Sequence, residues 1–227
     1  MIRICEIFQS LQGEGLLTGA ASVFIRTSGC NLACRFCDTR YASTEAQGEF
    51  YSVFGILSEI ERRKFSADHV VITGGEPMIQ PDVVDLCEQL KNRGYHITIE
   101  TAGTVHRELV CDLMSISPKL KNSIPDGPRG VQHDQLRFQP EVLQKLIDQY
   151  TYQVKFVVHA PEDLPEIDRF CAQFENLDRN RVLYMPQGQT RDELEAVEAW
   201  LIPWSEAANA RFCPRKHIEW FGPGRGV

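Results

Sequence analysis

The chain has 227 residues, 43% of them hydrophobic and 24% charged, a balance that fits one globular unit and excludes disordered and fibrous classes. Its net charge of −7 gives no overall field that would draw it to nucleic acid or an anionic membrane, so a small-molecule substrate is expected. The polar opening MIRICEIFQS and the lack of an 18-residue apolar run point away from a signal peptide or a membrane span, and the expected compartment is the cytoplasm.

Along the chain, short β-branched runs recur at 22–27, 69–73, 96–101, 113–117, 152–158 and 181–185, which predicts six buried strands. Helical periodicity falls between them at Ser52 to Lys64, Pro81 to Arg93, Pro140 to Gln149, Pro161 to Phe174 and Thr190 to Trp200. Such alternation predicts an α/β fold of right-handed βαβ units, a parallel sheet either open or curled into a barrel, with the active site beyond the C-terminal strand ends. Residues 121–137, rich in Pro, Gly, Asp and Asn, read as a long loop. The segment from about 210 to 227 reads as a tail or edge element of a single 1–227 domain, its Gly and Pro content excluding a terminal helix.

The chemistry lies in the connections. Cys30, Cys34 and Cys37 form a C-x3-C-x2-C loop after the first of these strands, three thiolates able to wrap one corner of a cubane and leave one iron open. A zinc site of three cysteines and a histidine is the alternative, although the second ligand pair usual in structural zinc is missing. Cys5, Cys87, Cys111 and Cys171 lie in apparent strands or helices and read as small core residues; Cys213 is open. After the second strand, Thr73-Gly74-Gly75-Glu76-Pro77 lets the backbone approach a ligand and offers a carboxylate to an ammonium group.

Together these motifs resemble the radical S-adenosylmethionine (SAM) superfamily. Over the whole length the chain is similar to its 7-carboxy-7-deazaguanine synthase family, through Glu6 to Gly15 (EIFQSLQGEG), Phe24-Ile25-Arg26, Cys37-Asp38-Thr39, Ile99-Glu100-Thr101, Ser117-Pro118-Lys119 and the closing Arg225-Gly226-Val227. The resemblance implies a partial, β6/α3-like TIM barrel with fewer barrel helices than the periodicity count. It implies a lyase that converts 6-carboxy-5,6,7,8-tetrahydropterin to 7-carboxy-7-deazaguanine with loss of ammonia, in queuosine and deazapurine biosynthesis. Implied cofactors are a 4Fe–4S cluster, SAM and Mg²⁺; implied partners are a reductant such as flavodoxin or ferredoxin and a second copy of the chain.

By residue, the resemblance implies that Leu11, Gln12, Gly13, Arg26 and Thr73 contact the pterin, Arg26 through its carboxylate. Leu11 to Gly13 also reads as a hairpin turn. Phe36, Cys37, Asp38, Gly75, Glu76, Ser117, Pro118 and Lys119 fall to SAM, with Thr39 on Mg²⁺. Met185, Pro186, Gln187 and Gly188 form a further cofactor-side loop, and Glu100 suits ribose hydroxyls. One departure from the family pattern is that Arg215 stands two residues before His217, where a Gln is common. His69, His96, His106, His133 and His159 carry no motif and are expected to be structural.

Overall fold

The computed structural model describes every residue except Pro223 and Val227. Among the described residues nine strands form one sheet: β1 (Ile2–Leu11), β2 (Ala21–Thr27), β3 (Glu49–Tyr51), β4 (His69–Gly74), β5 (His96–Thr101), β6 (Leu113–Ile116), β7 (Tyr152–Val158), β8 (Val182–Pro186) and β9 (Arg211–Phe212). Their order is β3-β1-β2-β4-β5-β6-β7-β8-β9, parallel from β2 onward and antiparallel at β1 and β3. The sheet is open, in keeping with a partial barrel. All six expected strands are present, and β1, β3 and β9 are added at the two sides. β1 and β2 form a hairpin whose turn is closed by Gln12 N–H to Ala20 O at 2.8 Å and Gly19 N–H to Gln12 O at 2.7 Å.

The helices are α1 (Val53–Arg62), α2 (Val83–Asn92), α3 (Pro128–Leu136), α4 (Pro140–Gln149), α5 (Leu164–Cys171), α6 (Arg191–Ala207) and α7 (Lys216–Phe221). All five expected from periodicity exist, and only the β5–β6 crossover lacks one. The start signals are local: Ser52 Oγ accepts from Gly55 N–H before α1, and Thr190 with Glu193 makes a reciprocal capping box before α6. Two expectations are corrected. The segment 121–137 is not one long loop, because Pro128 at the first turn starts α3. Trp220 and Phe221 close helix α7, since the Gly that ends it lies at 222, beyond the last turn. Cys111 lies in the connection before β6 and packs against the core from there.

Each central strand has two unlike faces. Ile25, Ile72, Ile99, Ile116 and Phe156 are fully buried under the helices in one apolar core. The alternate residues Arg26, Thr73, Glu100, Ser115 and Lys155 line a cavity on the concave face. Register sets them level: Arg26 lies opposite Thr73 and Glu100 opposite Ser115. Period-two alternation thus builds a dry outer layer and a polar basin from the same strands.

At the other end of the strands, buried His69 bonds Ser22 Oγ and Thr98 Oγ1, each at 2.8 Å, and packs edge-on against His96. Burial, reinforced by His96, lowers its pKa to about 4. The unfolded chain, whose histidine titrates near 6.5, therefore binds more protons between these values. Stability is fullest above about pH 6.5 and falls toward pH 4, by up to about 3 kcal/mol from this residue. Urea unfolding across this window should show a shallower loss for His69→Gln than for the wild type; parallel slopes would remove His69 as the source.

Candidate functional site

The cysteine loop follows β2 and is fixed from three sides. Gly29 N–H donates to Ala42 O at 2.8 Å, Ala33 N–H to His133 Nδ1 at 3.1 Å and Arg35 N–H to Ser123 O at 2.9 Å. His133 is buried and bonds Ser123 Oγ at 2.9 Å, so α3 and the turn before it buttress the loop. From β4, Glu76 N–H donates to Gly29 O at 2.9 Å, and a Cβ on Gly75 would stand 2.0 Å from that same carbonyl. Only glycine permits this approach.

Cys30, Cys34 and Cys37 all face a cavity of about 520 Å³. Burial pushes the thiols of Cys30 and Cys34 up to about 12 and about 11. They are therefore protonated at neutral pH without metal, and binding of iron displaces the protons. Three thiols facing one cavity match, in number and kind, the three-thiolate corner of an iron–sulfur cluster. The donor set fits a three-thiolate 4Fe–4S site.

Across the cavity stands a buried ionic network. Lys155, 4% exposed, places Nζ 2.9 Å from Glu14 Oε2 and 3.5 Å from Glu100 Oε1. Glu100 also accepts from Gln12 Nε2 at 3.2 Å and Thr73 Oγ1 at 2.8 Å. Arg215, equally buried, donates from Nε to Glu14 Oε1 at 3.1 Å, from Nη2 to Asp38 Oδ2 at 2.5 Å and from Nη1 to Gly188 O. Burial alone would raise the Glu14 carboxyl, but Lys155 and Arg215 outweigh it and hold it well below the carboxylate range. Burial would lower Lys155, yet Glu14 and Glu100 keep it charged. Lys216 N–H bonds Gly13 O at 2.9 Å, and a Cβ on Gly13 would strike His217, so the C-terminal segment is clamped onto residues 12–14. Burial lowers the pKa of His217, leaving it neutral beside this network.

Arg26 lies 2.6 Å from Glu6 through Nε and over the ring of Phe8. Glu6 also accepts from Tyr41 OH at 2.8 Å. The terminal nitrogens of Arg26 carry no hydrogen bond among the described residues, leaving the guanidinium fork open to the cavity. Leu11, Gln12, Gly13, Thr73, Phe36, Asp38, Thr39, Gly75, Ser117, Lys119, Met185 and Gln187 also line the cavity. Glu76 is not among them: fully buried, it accepts from Met78 N–H, Thr101 Oγ1 and Ala102 N–H, contacts that hold the turn. Glu100 lines the cavity too, bonded to Gln12, Thr73 and Lys155. Pro118, Pro186 and Gly188 stand behind the lining, and Val227 is outside the described residues.

Sequence reasoning passed over Glu6, Glu14, Ser43 and Lys155. The last had a signal: a lone lysine inside the apolar run YQVKFVV is costly unless paired.

The radical SAM superfamily model matches residues 24–197. The 7-carboxy-7-deazaguanine synthase of Rhodopirellula baltica is 46% identical over 99% of this chain and 88% of its own length. That of Halobacterium salinarum is 42% identical over 95% and 88%. The crystal structure of QueE from Escherichia coli superposes with a TM-score of 0.72 at 27% identity, covering 95% of this chain and 94% of that one.

Removing the central cation leaves Glu14 and Glu100 buried without their ammonium partner. Lys155→Met should lower stability by about 3 kcal/mol. Chemical denaturation measures it, and a loss under about 1 kcal/mol, the range of exposed pairs, would show the network to be solvated.

Proposed function

The chain belongs to the radical SAM superfamily and, within it, to the 7-carboxy-7-deazaguanine synthase family, and we propose on that footing that its cavity contracts 6-carboxy-5,6,7,8-tetrahydropterin to 7-carboxy-7-deazaguanine with loss of ammonia. The observation that carries this reading is the meeting, in one cavity, of three half-buried thiols and an arginine whose fork is left open. A 4Fe–4S cluster held there would pass one electron from an external donor to SAM, the chemistry that yields a 5′-deoxyadenosyl radical for hydrogen abstraction at C6 of the pterin.

The remaining roles fall to the chain's own side chains. Cys30, Cys34 and Cys37 hold the cluster. Arg26, oriented through Nε by Glu6, offers its free nitrogens to the substrate carboxylate, a charge-assisted pair in a partly dry site. Gln12 and Thr73, both donating to Glu100, form a rigid polar edge for the pterin ring. Phe36 to Asp38, Gly75, Ser117 and Lys119 serve SAM, with Met185 and Gln187 on the adjoining wall. Thr39 would offer a hydroxyl oxygen to Mg²⁺, a hard cation that favours oxygen donors.

In the same proposal the chain works as one catalytic domain, as a homodimer in the cytoplasm, with a low-potential one-electron donor such as flavodoxin or ferredoxin. No described helix is long and apolar enough to cross a membrane.

Anaerobically purified protein should be brown, and with SAM, a reductant and the carboxylated pterin should yield the deazaguanine by mass. A colourless protein carrying one zinc per chain would sink the cluster, and a brown protein inert toward this pterin would sink the substrate. Arg26→Ala should raise KM about 10- to 100-fold, the worth of a charged hydrogen bond, while cofactor cleavage without pterin persists. Glu6→Gln should raise KM in the same direction by less; an unchanged KM in both variants would take the carboxylate away from Arg26. In Thr39→Ala, Mg²⁺ should lose its stimulation of turnover, and undiminished stimulation would remove Thr39 as ligand.

A further inference from the structure

The turn after the cysteine loop carries a hydroxyl that none of the roles above uses. Ser43 is 6% exposed, and its Oγ lies 3.2 Å from Cys37 Sγ. The position is fixed by backbone: Ser43 N–H donates to Thr39 O at 3.0 Å and Arg40 O at 3.2 Å, and the neighbouring Ala42 carbonyl receives Gly29 N–H at 2.8 Å. The turn is thus pinned to the opposite arm of the same loop. The other acceptor in reach of the hydroxyl, Arg40 O, is at 3.5 Å, the outer limit of a hydrogen bond. Thr39 Oγ1, at 3.9 Å from Cys37 Sγ, is farther still.

The three thiols are served unequally. Cys30 Sγ accepts from Leu32 N–H at 3.4 Å, and Cys37 has the Ser43 hydroxyl, the shorter contact. Bound to iron, Cys37 is a thiolate and can only accept, so the proton of the pair must come from Ser43. A donor on a ligand sulfur stabilises the more negative, reduced state of a cluster and raises its reduction potential.

We infer that Ser43 tunes the cluster: its hydroxyl, held by the 39–43 turn against Cys37 Sγ, makes one-electron reduction by an external low-potential donor easier. The inference rests on the cluster reading of Cys30, Cys34 and Cys37. Ser43 touches neither substrate nor reacting atoms in this role and acts through Cys37.

The test is a redox titration of the reconstituted protein, without pterin, followed by the EPR signal of the reduced cluster. At the potential where the wild type is half reduced, Ser43→Ala should show a reduced-to-oxidised ratio lower by about tenfold, which corresponds to about 59 mV for one electron. Ser43→Thr, which keeps the hydroxyl, should titrate close to the wild type. An intact Ser43→Ala cluster with the wild-type potential overturns the inference. Should the alanine variant fail to hold a cluster, pulsed EPR of wild type in D₂O decides: a deuteron coupled to the reduced cluster and retained in Ser43→Thr supports the hydrogen bond, and no exchangeable coupling overturns it. A wild type that binds no cluster is a different failure, that of the cluster reading itself.

Discussion

Lys155 holds the cavity together. It rises from the middle of β7 into a basin walled by the hairpin of β1 and β2 on one side and by β5 on the other, and a carboxylate from each meets its ammonium. An ion at 4% exposure is costly in isolation, and two carboxylates at that depth are costlier still. Each is tolerable because the others are present. The network extends through Glu14 to Arg215, and from there to Asp38 beside the last cysteine. Five segments distant in sequence are thereby fixed in one geometry by charges that cannot be separated cheaply.

That arrangement explains why the sheet has two faces. The core needs an unbroken apolar layer under the helices, which Ile25, Ile72, Ile99 and Phe156 provide. The opposite face is free to be polar only because its groups satisfy one another: Gln153 donates to Ser115 and accepts from Leu16 N–H, and Thr73 and Gln12 donate to Glu100. A basin wired in this way is rigid before any ligand arrives, which suits a reaction in which a small substrate must sit at a fixed distance from a radical source.

Much of this was readable in the chain. Six strands and five helices follow from apolar periodicity, because a buried parallel strand and an amphipathic helix leave strong, local patterns. The cysteine spacing and the glycine pair were equally legible, since each is a steric demand of a short connection. The misses have a common cause. β1, with residues such as Glu6 and Gln9 on its path, is half solvated and pairs antiparallel, so its pattern is diluted. Helix α3 has few apolar residues; it is anchored by His133 to the cysteine loop instead of by a hydrophobic stripe. Nor does spacing reveal that three donors from its own neighbourhood bond the Glu76 carboxylate. Pairings of that kind are tertiary facts, invisible to spacing.

Arg215 shows how such a tertiary fact turns an apparent departure into a requirement. A neutral amide at this position, as the family resemblance leads one to expect, could not compensate two carboxylates. Here Glu14 already faces Lys155, and Lys155 is shared with Glu100, so one ammonium serves two anions. Asp38 adds a third acid at the rim. The guanidinium supplies the missing positive charge and, being a planar fork, reaches Glu14, Asp38 and the Gly188 carbonyl together. With Lys155 and Arg215 against Glu14, Glu100 and Asp38, the wall keeps one net negative charge. In the same cavity the terminal nitrogens of Arg26 stay open and suit an anionic substituent, while this wall offers none.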